Sequence, residues 1–507
     1  METFLSTINL LATPEVLVAL LLGSIGGVII GAIPGVGPAV AIAILLPATF
    51  SLDPLVGLTL LLGIYGSSMY GGSLPAILIN TPGTAVNALT TYDGYPMTKQ
   101  GKAVRALGLA YGASFVSATL SILALFLLSP LLAKVAPLFG SREIFLAALM
   151  GIVLVVIAHR GQTFAAGSLA AFGVFLGTVG LEPVRYTQRY TFGLDALQSG
   201  FDLIVVVLGL FAISQAFLLL SEPDSAPDRQ KISGNLFAAM LRVLRFKRIA
   251  ASGSGIGVVM GIIPGVGEFT AQFLSYTLAQ KTSKTPEAFG KGSEEGLVAS
   301  ESANNAVPAA AMIPLLALGI PGEALTAMML SVFYVHNVVP GPALFRDQLD
   351  FVYALFAAML FLNIIVIIFV GFSSNILTRI IRIPTRFLGM VILTLSFVGV
   401  YSLRNSITDC VMAAGFGILG LVLKRQNLPV VPIILGMVLG GIMEVKLRAA
   451  MARVRAPLDF VDRPIAAGLA IAIVMLIAFH IWGVFREKRN SAPASDQDHD
   501  RHDTQQR

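Results

Sequence analysis

The 507-residue chain is 56% hydrophobic and only 12% charged, against about 25% charged in an ordinary soluble protein, and its mean hydropathy is +0.83. A soluble globular fold is excluded. The net charge of +6 reads as anchoring at a membrane surface rather than nucleic-acid binding, and the single cysteine, Cys410, excludes an internal disulfide.

At about 20 apolar residues per crossing, the composition supplies on the order of a dozen spans, with little left for an extramembrane domain. The first is expected over Val16–Ile33. Thr13, Pro14 and Glu15 offer it an N-cap, a proline at the first helical position and an acid in the first turn. The run is too long for the apolar part of a cleaved signal and lacks a basic leader, so it is read as a retained helix. Further apolar runs follow at 38–50, 54–79, 105–135, 143–158, 163–181 and 201–220. Residues 1–220 thus form a first transmembrane half. A polar stretch, 221–248, carries Arg229, Lys231, Arg242, Arg245, Lys247 and Arg248 against Glu222, Asp224 and Asp228, and reads as a cytoplasmic connector. The second half, 249–485, has runs at 249–280, 306–334, 351–375, 387–403, 406–423, 428–443 and 464–485. The hydrophilic end, 486–507, is expected to be a disordered cytoplasmic tail.

The halves share two motifs. GSIGGVIIGAIPGVG (23–37) returns as GSGIGVVMGIIPGVG (253–267), an offset of 230 that carries Gly35 and Gly37 onto Gly265 and Gly267. LPAILINTPGTAVNA (74–88) returns as IPLLALGIPGEALTA (313–327) at an offset of 239. The nine extra residues fall most simply within Lys281–Glu295. Glycines at every fourth position suit close helix packing. Pro-Gly-Val-Gly does more: it breaks a helix and frees backbone groups that hydrocarbon cannot satisfy. Repeated breaks of this kind point to the midplane site of a secondary transporter, the alternative being a kinked packing helix.

Charge placement orients the halves. No Lys or Arg precedes Lys99, whereas the second copy enters from Arg248 and leaves through 335–350, where Arg346 is the only basic residue. Two repeats of inverted topology satisfy this, with cytoplasmic faces at Arg379–Arg386, Lys424-Arg425 and Arg486–Arg489. Lys446–Arg463 runs against it as an outside loop with basic residues.

The stretch YGGSLPAILINTPGTAVNALTTYDGYPMTKQGKAVRALG (70–108), PGVG at 264–267 and ESANNAVPAAAMIPLLALGIPG (301–322) resemble the large membrane subunit of the tripartite tricarboxylate transporters, the TctA family, over about residues 15–480. The resemblance implies a bacterial inner-membrane permease that works with a small membrane subunit and a periplasmic substrate-binding protein and imports carboxylates on an ion gradient. It covers Gly71, Gly72, Pro82, Gly83, Asp93, Gly94, Pro96 and Gly101, then Pro264, Gly265, Gly267, Glu301, Asn304, Asn305, Gly319, Pro321 and Gly322.

The residues themselves suit an anion. Asn80-Thr81-Pro82-Gly83-Thr84 should end one helix and restart another at Thr84, so that backbone N–H groups converge with hydroxyl and amide side chains. Gly319-Ile320-Pro321-Gly322 offers the same from the second half, and freed carbonyls suit Na⁺. Neither motif contains Lys or Arg, so dipoles and co-transported cations would meet the substrate charge. Re-entrant loops without a ligand are the alternative. The expected substrate contacts are Gly35, Gly37, Gly71, Gly72, Ser73 and Asn80 to Thr84, with Pro264, Gly265, Gly267, Gly319, Pro321 and Gly322.

Four residues are candidates for ion coupling: Glu301, Asn304, Asn305 and Glu268. Glu301 and Asn304 share a helix face and, with Asn305, offer oxygens for Na⁺, though polar packing between helices explains them equally. Glu268 is a membrane acid where the first copy has Pro38; the helix dipole alone also favours it there. Glu323 reads as a first-turn acid, and Tyr92-Asp93-Gly94 as a loop. No dinucleotide motif is present, the five histidines lack zinc spacing, and an intramembrane aspartyl protease needs two buried Asp, whereas Asp93 adjoins a polar, basic loop. No cofactor or fixed metal is expected. The sequence therefore reads as an all-α polytopic membrane protein with two inverted repeats, a carboxylate permease. A stand-alone carboxylate transporter is the runner-up, and a membrane-embedded enzyme the competitor from another class.

Overall fold

A computed structural model of the chain describes residues 2–490 apart from Arg160, 183–185, 222–233, 381–382, Arg453 and Arg455. The expected disordered tail beyond Asn490 and the connector charges from Glu222 to Lys231 lie outside the described residues. Among those described, the only strands are a short antiparallel pair, β1 (Gly180–Leu181) and β2 (Gln188–Arg189). All other regular structure is helical, as composition and hydropathy require.

The first half holds α1 (Glu2–Leu11), α2 (Pro14–Gly31), α3 (Gly37–Thr49), α4 (Pro54–Ile79), α5 (Ala88–Lys99), α6 (Ala103–Val135), α7 (Ser141–Ala158) and α8 (Thr163–Thr178). After the strands, α9 (Leu203–Val207) passes through a π-helical segment, Leu208–Ile213, into α10 (Ser214–Ser221). The second half holds α11 (Leu236–Met240), α12 (Lys247–Ile262), α13 (Gly267–Thr282), α14 (Glu294–Leu318), α15 (Ala324–Val335), α16 (Pro342–Asp347) and α17 (Leu349–Ile380). It closes with α18 (Thr385–Arg404), α19 (Ile407–Arg425), α20 (Val431–Met451) and α21 (Pro464–Asn490). Nine helices among the described residues are long and apolar enough to cross a bilayer. The chain is a multi-pass membrane protein.

At the centre stand α4 and α14, buried along nearly their whole lengths. The first packs chiefly on α2, the second on α6 and α12. Glycine makes both approaches close: a Cβ on Gly27 would come within 2.8 Å of Ser67 Cβ, and one on Gly257 within 2.7 Å of Ala306 Cβ. The same stripe is used twice. Gly27→Leu and Gly257→Leu are therefore each expected to destabilise the folded protein by about 1–3 kcal/mol, the usual cost of overpacking. Thermal unfolding in detergent checks this.

Several expectations change in detail. The run at 249–280 is two helices, and α14 starts at Glu294 rather than at 306, because its polar turns from Gly296 to Asn305 are buried against other helices instead of solvated. Tyr92-Asp93-Gly94 is not a loop but part of α5, with Asp93 and Gly94 buried. Thr13 does occupy the N-cap position of α2 in extended geometry. Its hydroxyl, however, donates back to the Leu10 carbonyl at 3.0 Å instead of capping, because α1 ends immediately before it. Glu323 is the N-cap residue of α15, one position before the first turn. The end of the connector is ordered: α11 lies against Gly108 and Gly112 of α6. α21 runs to Asn490, past the boundary expected at 485.

Lys446–Arg463, the awkward basic stretch, is partly the end of α20, and its Arg448 and Arg463 have acidic partners. Arg448 pairs with Glu182 at 2.6 Å and Glu444 at 2.9 Å, Arg189 pairs with Glu444 at 2.6 Å, and Asp462 pairs with Arg142 at 2.5 Å.

Candidate functional site

Each half breaks its glycine-striped helix in the same way. Pro34-Gly35-Val36 forms turns between α2 and α3, and Pro264-Gly265-Val266 forms turns between α12 and α13. Gly35 and Gly37 stand at φ +81° and +50°, Gly265 and Gly267 at +83° and +69°, a region that side chains other than glycine seldom enter. α4 and α14 also end alike, each on a left-handed residue, Asn80 (φ 57°) and Gly319 (φ 71°).

The two motifs of each half are joined to one another. Gly35 N–H donates to the Gly83 carbonyl at 3.2 Å, and Gly265 N–H donates to the Gly322 carbonyl at 2.6 Å. One break thus satisfies the other, as hydrocarbon surroundings demand. The Gly83 N–H donates in turn to the Gly72 carbonyl at 3.3 Å, Thr81 N–H to the Pro75 carbonyl at 3.4 Å, and Ile320 N–H to the Pro314 carbonyl at 3.3 Å. A Cβ on Gly71 would strike Val28 O, and one on Gly83 would sit 2.7 Å from Gly72 Cα. Gly71, Gly72 and Gly83 are thus close-approach points of the backbone. Gly37 and Gly267 differ: only Thr84 Cβ comes within 4.0 Å of a Cβ on Gly37, and nothing lies that near one on Gly267. The helix after Pro82 restarts at Ala85–Asn87 as a 3₁₀ turn, one residue later than expected, and Thr84 Oγ1 donates to Asn87 Oδ1 at 2.5 Å.

Beside the first break lies the Glu301 carboxylate, wholly buried. Ser73 and Thr90 donate to its Oε1 at 2.9 and 2.5 Å, and Ser114 and Asn305 Nδ2 to its Oε2, both at 3.2 Å. The donors come from α4, α5, α6 and α14, so one acid gathers four helices. Asn87 joins them through Ser73 at 3.2 Å. Asn305 also donates to Ser114 at 2.8 Å, and it lines a cavity of about 40 Å³ with Ser67, Tyr70 and Asn363. Ser67 Oγ is buried without a partner. So are both polar atoms of Asn304, whose side chain is fully enclosed.

Glu268 is elsewhere. It lies in the first turn of α13 and accepts a hydrogen bond from Tyr65 of α4 at 2.9 Å. Tyr65 and Ser73 are eight residues apart on α4, about 12 Å at 1.5 Å per residue. The four coupling candidates therefore divide into a Glu301–Asn305 cluster, a separate Glu268–Tyr65 pair, and an unpartnered Asn304.

Asp93 is a third buried acid. Its Oδ1 accepts from Gly290, Gly292 and Ser293 N–H at 2.9, 2.9 and 2.7 Å, and its Oδ2 from Tyr276 at 2.9 Å. Those backbone donors lie in the segment between α13 and α14. Gln100 Nε2 donates to the Lys291 carbonyl at 3.0 Å, and Arg105 pairs with Glu294 at 2.5 Å alongside it.

Sequence reading missed Tyr65, Asn87, Thr90 and Ser114. Hydroxyls within apolar helices usually bond back to their own helix, and nothing in the spacing marks those that do not.

A polytopic helical protein whose paired broken helices close on one another around buried polar groups has the build of a membrane transporter. Residues 17–435 match the Tripartite tricarboxylate transporter TctA family, and the chain belongs to that family. It is accordingly a membrane component of a transporter. It is 34% identical over 479 residues to an uncharacterised 52.8 kDa protein in the TAR-I ttuC' 3' region of Agrobacterium vitis, covering 94% of this chain and 95% of that one. A second Agrobacterium vitis protein, from the TAR-II ttuC' 3' region, is 34% identical over 241 residues, 47% of this chain and all of the relative. No solved structure matches the chain.

Proposed function

We propose that this protein is the permease subunit of a binding-protein-dependent secondary transporter of the bacterial inner membrane, importing tricarboxylates or related carboxylates. Its partners are a periplasmic substrate-binding protein and a small membrane subunit. The observation that carries the reading is the twofold clasp, Gly35 to Gly83 and Gly265 to Gly322, because paired broken helices of like geometry are what a midplane substrate site requires. The substrate carboxylates lie between the breaks, against the open side of Gly37 and Gly267 and the first turns that follow Thr84 and Gly322. A cation carried with the substrate uses Glu301 and Asn305, the pair the fold keeps together. One carboxylate amid neutral oxygens, next to a cavity of about 40 Å³, suits Na⁺ or a proton. Glu268, beside Tyr65, is the second acid of the pathway.

Uptake of labelled citrate, succinate and acetate into proteoliposomes tests this, with and without the binding protein and small subunit, under separate Na⁺ and proton gradients. Gradient-driven carboxylate uptake that needs both partners is expected. Uptake by this chain alone at the full rate would make it a stand-alone transporter, and carboxylate chemistry without any gradient would make it an enzyme.

The recurrence of break, clasp and left-handed helix end supports two repeats, and the charge asymmetry supports their inversion. In a Cys410→Ser background, a cysteine at Gln100 is expected to resist an impermeant thiol reagent added outside, while one at Gln348 reacts. Both side chains are exposed. Equal labelling of the two from outside would sink the inverted arrangement.

A further inference from the structure

Neither break motif contains a basic residue, yet the fold brings one behind the first. Lys424, in the last turn of α19, donates to Gln215 Oε1 at 2.9 Å and to the Phe211 carbonyl at 3.3 Å. Phe211 lies in the π-helical segment Leu208–Ile213, and π-helical turns release backbone groups from the regular ladder, frequently at functional sites. Gln215 is 8% exposed. Its Nε2 stands 3.2 Å from the point a Cβ on Gly35 would occupy.

The ammonium fixes which way the amide faces. Lysine can only donate, so the oxygen of Gln215 must turn to Lys424 and its N–H₂ must turn to the break. The same contact polarises the amide: a cation on the carbonyl oxygen makes the N–H bonds stronger donors. The result is a neutral, well-oriented double donor at Gly35, backed by a positive charge one side chain away.

We infer that Gln215, held and polarised by Lys424, is a carboxylate-binding residue at the first helix break. This rests on the carboxylate-transport reading above and adds to it a side-chain contact and a fixed positive charge that the break motifs lack. Gln215 touches the substrate, and Lys424 is a positioning residue. The anion accepts from Gln215 Nε2 on the side of Gly35, and Lys424 remains on the far side of the amide.

The test compares Gln215→Leu, Gln215→Glu, Lys424→Met and Lys424→Arg in the reconstituted transporter, by KM and maximal rate for citrate and succinate and by the citrate-induced rise in Tm of the detergent-solubilised chain. Gln215→Leu and Lys424→Met are expected to raise the citrate KM about tenfold or more, the scale of a lost charge-assisted hydrogen bond, with a smaller change in maximal rate. Gln215→Glu, which sets a like charge against the substrate, is expected to lose the citrate-induced shift altogether. Lys424→Arg, still a donor, is expected to stay within about threefold of the parent. A purely structural role would lower the ligand-free Tm and leave KM alone, and that outcome would overturn the inference. So would a wild-type KM in Gln215→Leu; should that variant not accumulate, the KM of Lys424→Met decides. Absence of any carboxylate uptake or shift in the parent protein would instead overturn the transport reading itself.

Discussion

Glu301→Gln is expected to uncouple uptake from its cation gradient while the folded protein persists. The four groups around the carboxylate all donate, so the native site is built for an acceptor with two oxygens. Glutamine keeps the shape, and its N–H₂ can be met by the rotating hydroxyls of Ser73, Thr90 or Ser114 but not by Asn305 Nδ2, which can only donate. A mismatch left at Asn305 costs about 1–3 kcal/mol of stability, while the lost negative charge removes the cation's counter-charge. Because the hydroxyls can rotate, the helices stay together, and the loss falls on the charge. Citrate uptake with and without a Na⁺ or proton gradient, normalised to inserted protein, measures it. Glu268→Gln should behave more mildly, since its partner is one tyrosine hydroxyl that an amide oxygen can satisfy. Unchanged cation dependence in both variants would remove the side-chain carboxylates from coupling and leave backbone carbonyls as the cation site.

The breaks were legible because proline and glycine act locally. Pro34-Gly35-Val36-Gly37 and its copy interrupt their helices where the residues stand, and no tertiary contact is needed to know it. What meets across a break was not legible. The Gly35–Gly83 bond joins residues 48 positions apart, and the Glu301 cluster collects Ser73, Thr90 and Ser114 from three other helices. Glu301 and Asn305 could be read together, lying one turn apart on α14, but Asn305 offers its nitrogen, not its oxygen, to the acid. The direction of a carboxamide depends on its neighbours, which spacing does not reveal. Polarity misled in the same way at Tyr92-Asp93-Gly94: beside Lys99 and Lys102 it looks solvated, and only residues 290–293 folding over Asp93 make it buried helix.

That contact gives the second large effect. Asp93→Ala is expected to cost on the order of 2–4 kcal/mol, because removing the acceptor strands Ser293 N–H and the Tyr276 hydroxyl in a buried setting while Gly290 and Gly292 regain water. The consequence reaches the cation site. Asp93 lies one turn after Thr90 on α5, and Thr90 donates to Glu301 at 2.5 Å. The segment Asp93 holds runs directly into α14 at Glu294, two turns before Glu301 itself. One carboxylate therefore fixes the relative height of α5 and α14, on which the Thr90–Glu301 bond depends. Asp93→Asn keeps an Oδ1 for the three backbone donors, and its N–H₂ can donate to the tyrosine oxygen, so a loss of about 1 kcal/mol is expected. Hydrogen exchange at residues 290–293, together with thermal unfolding in detergent, separates the two variants: rapid exchange with a lowered Tm in Ala, near-native protection in Asn. Native protection in Asp93→Ala would show that Gln100 and the Arg105–Glu294 pair hold residues 290–293 without it, and the coupling to Glu301 would then have to run through α6.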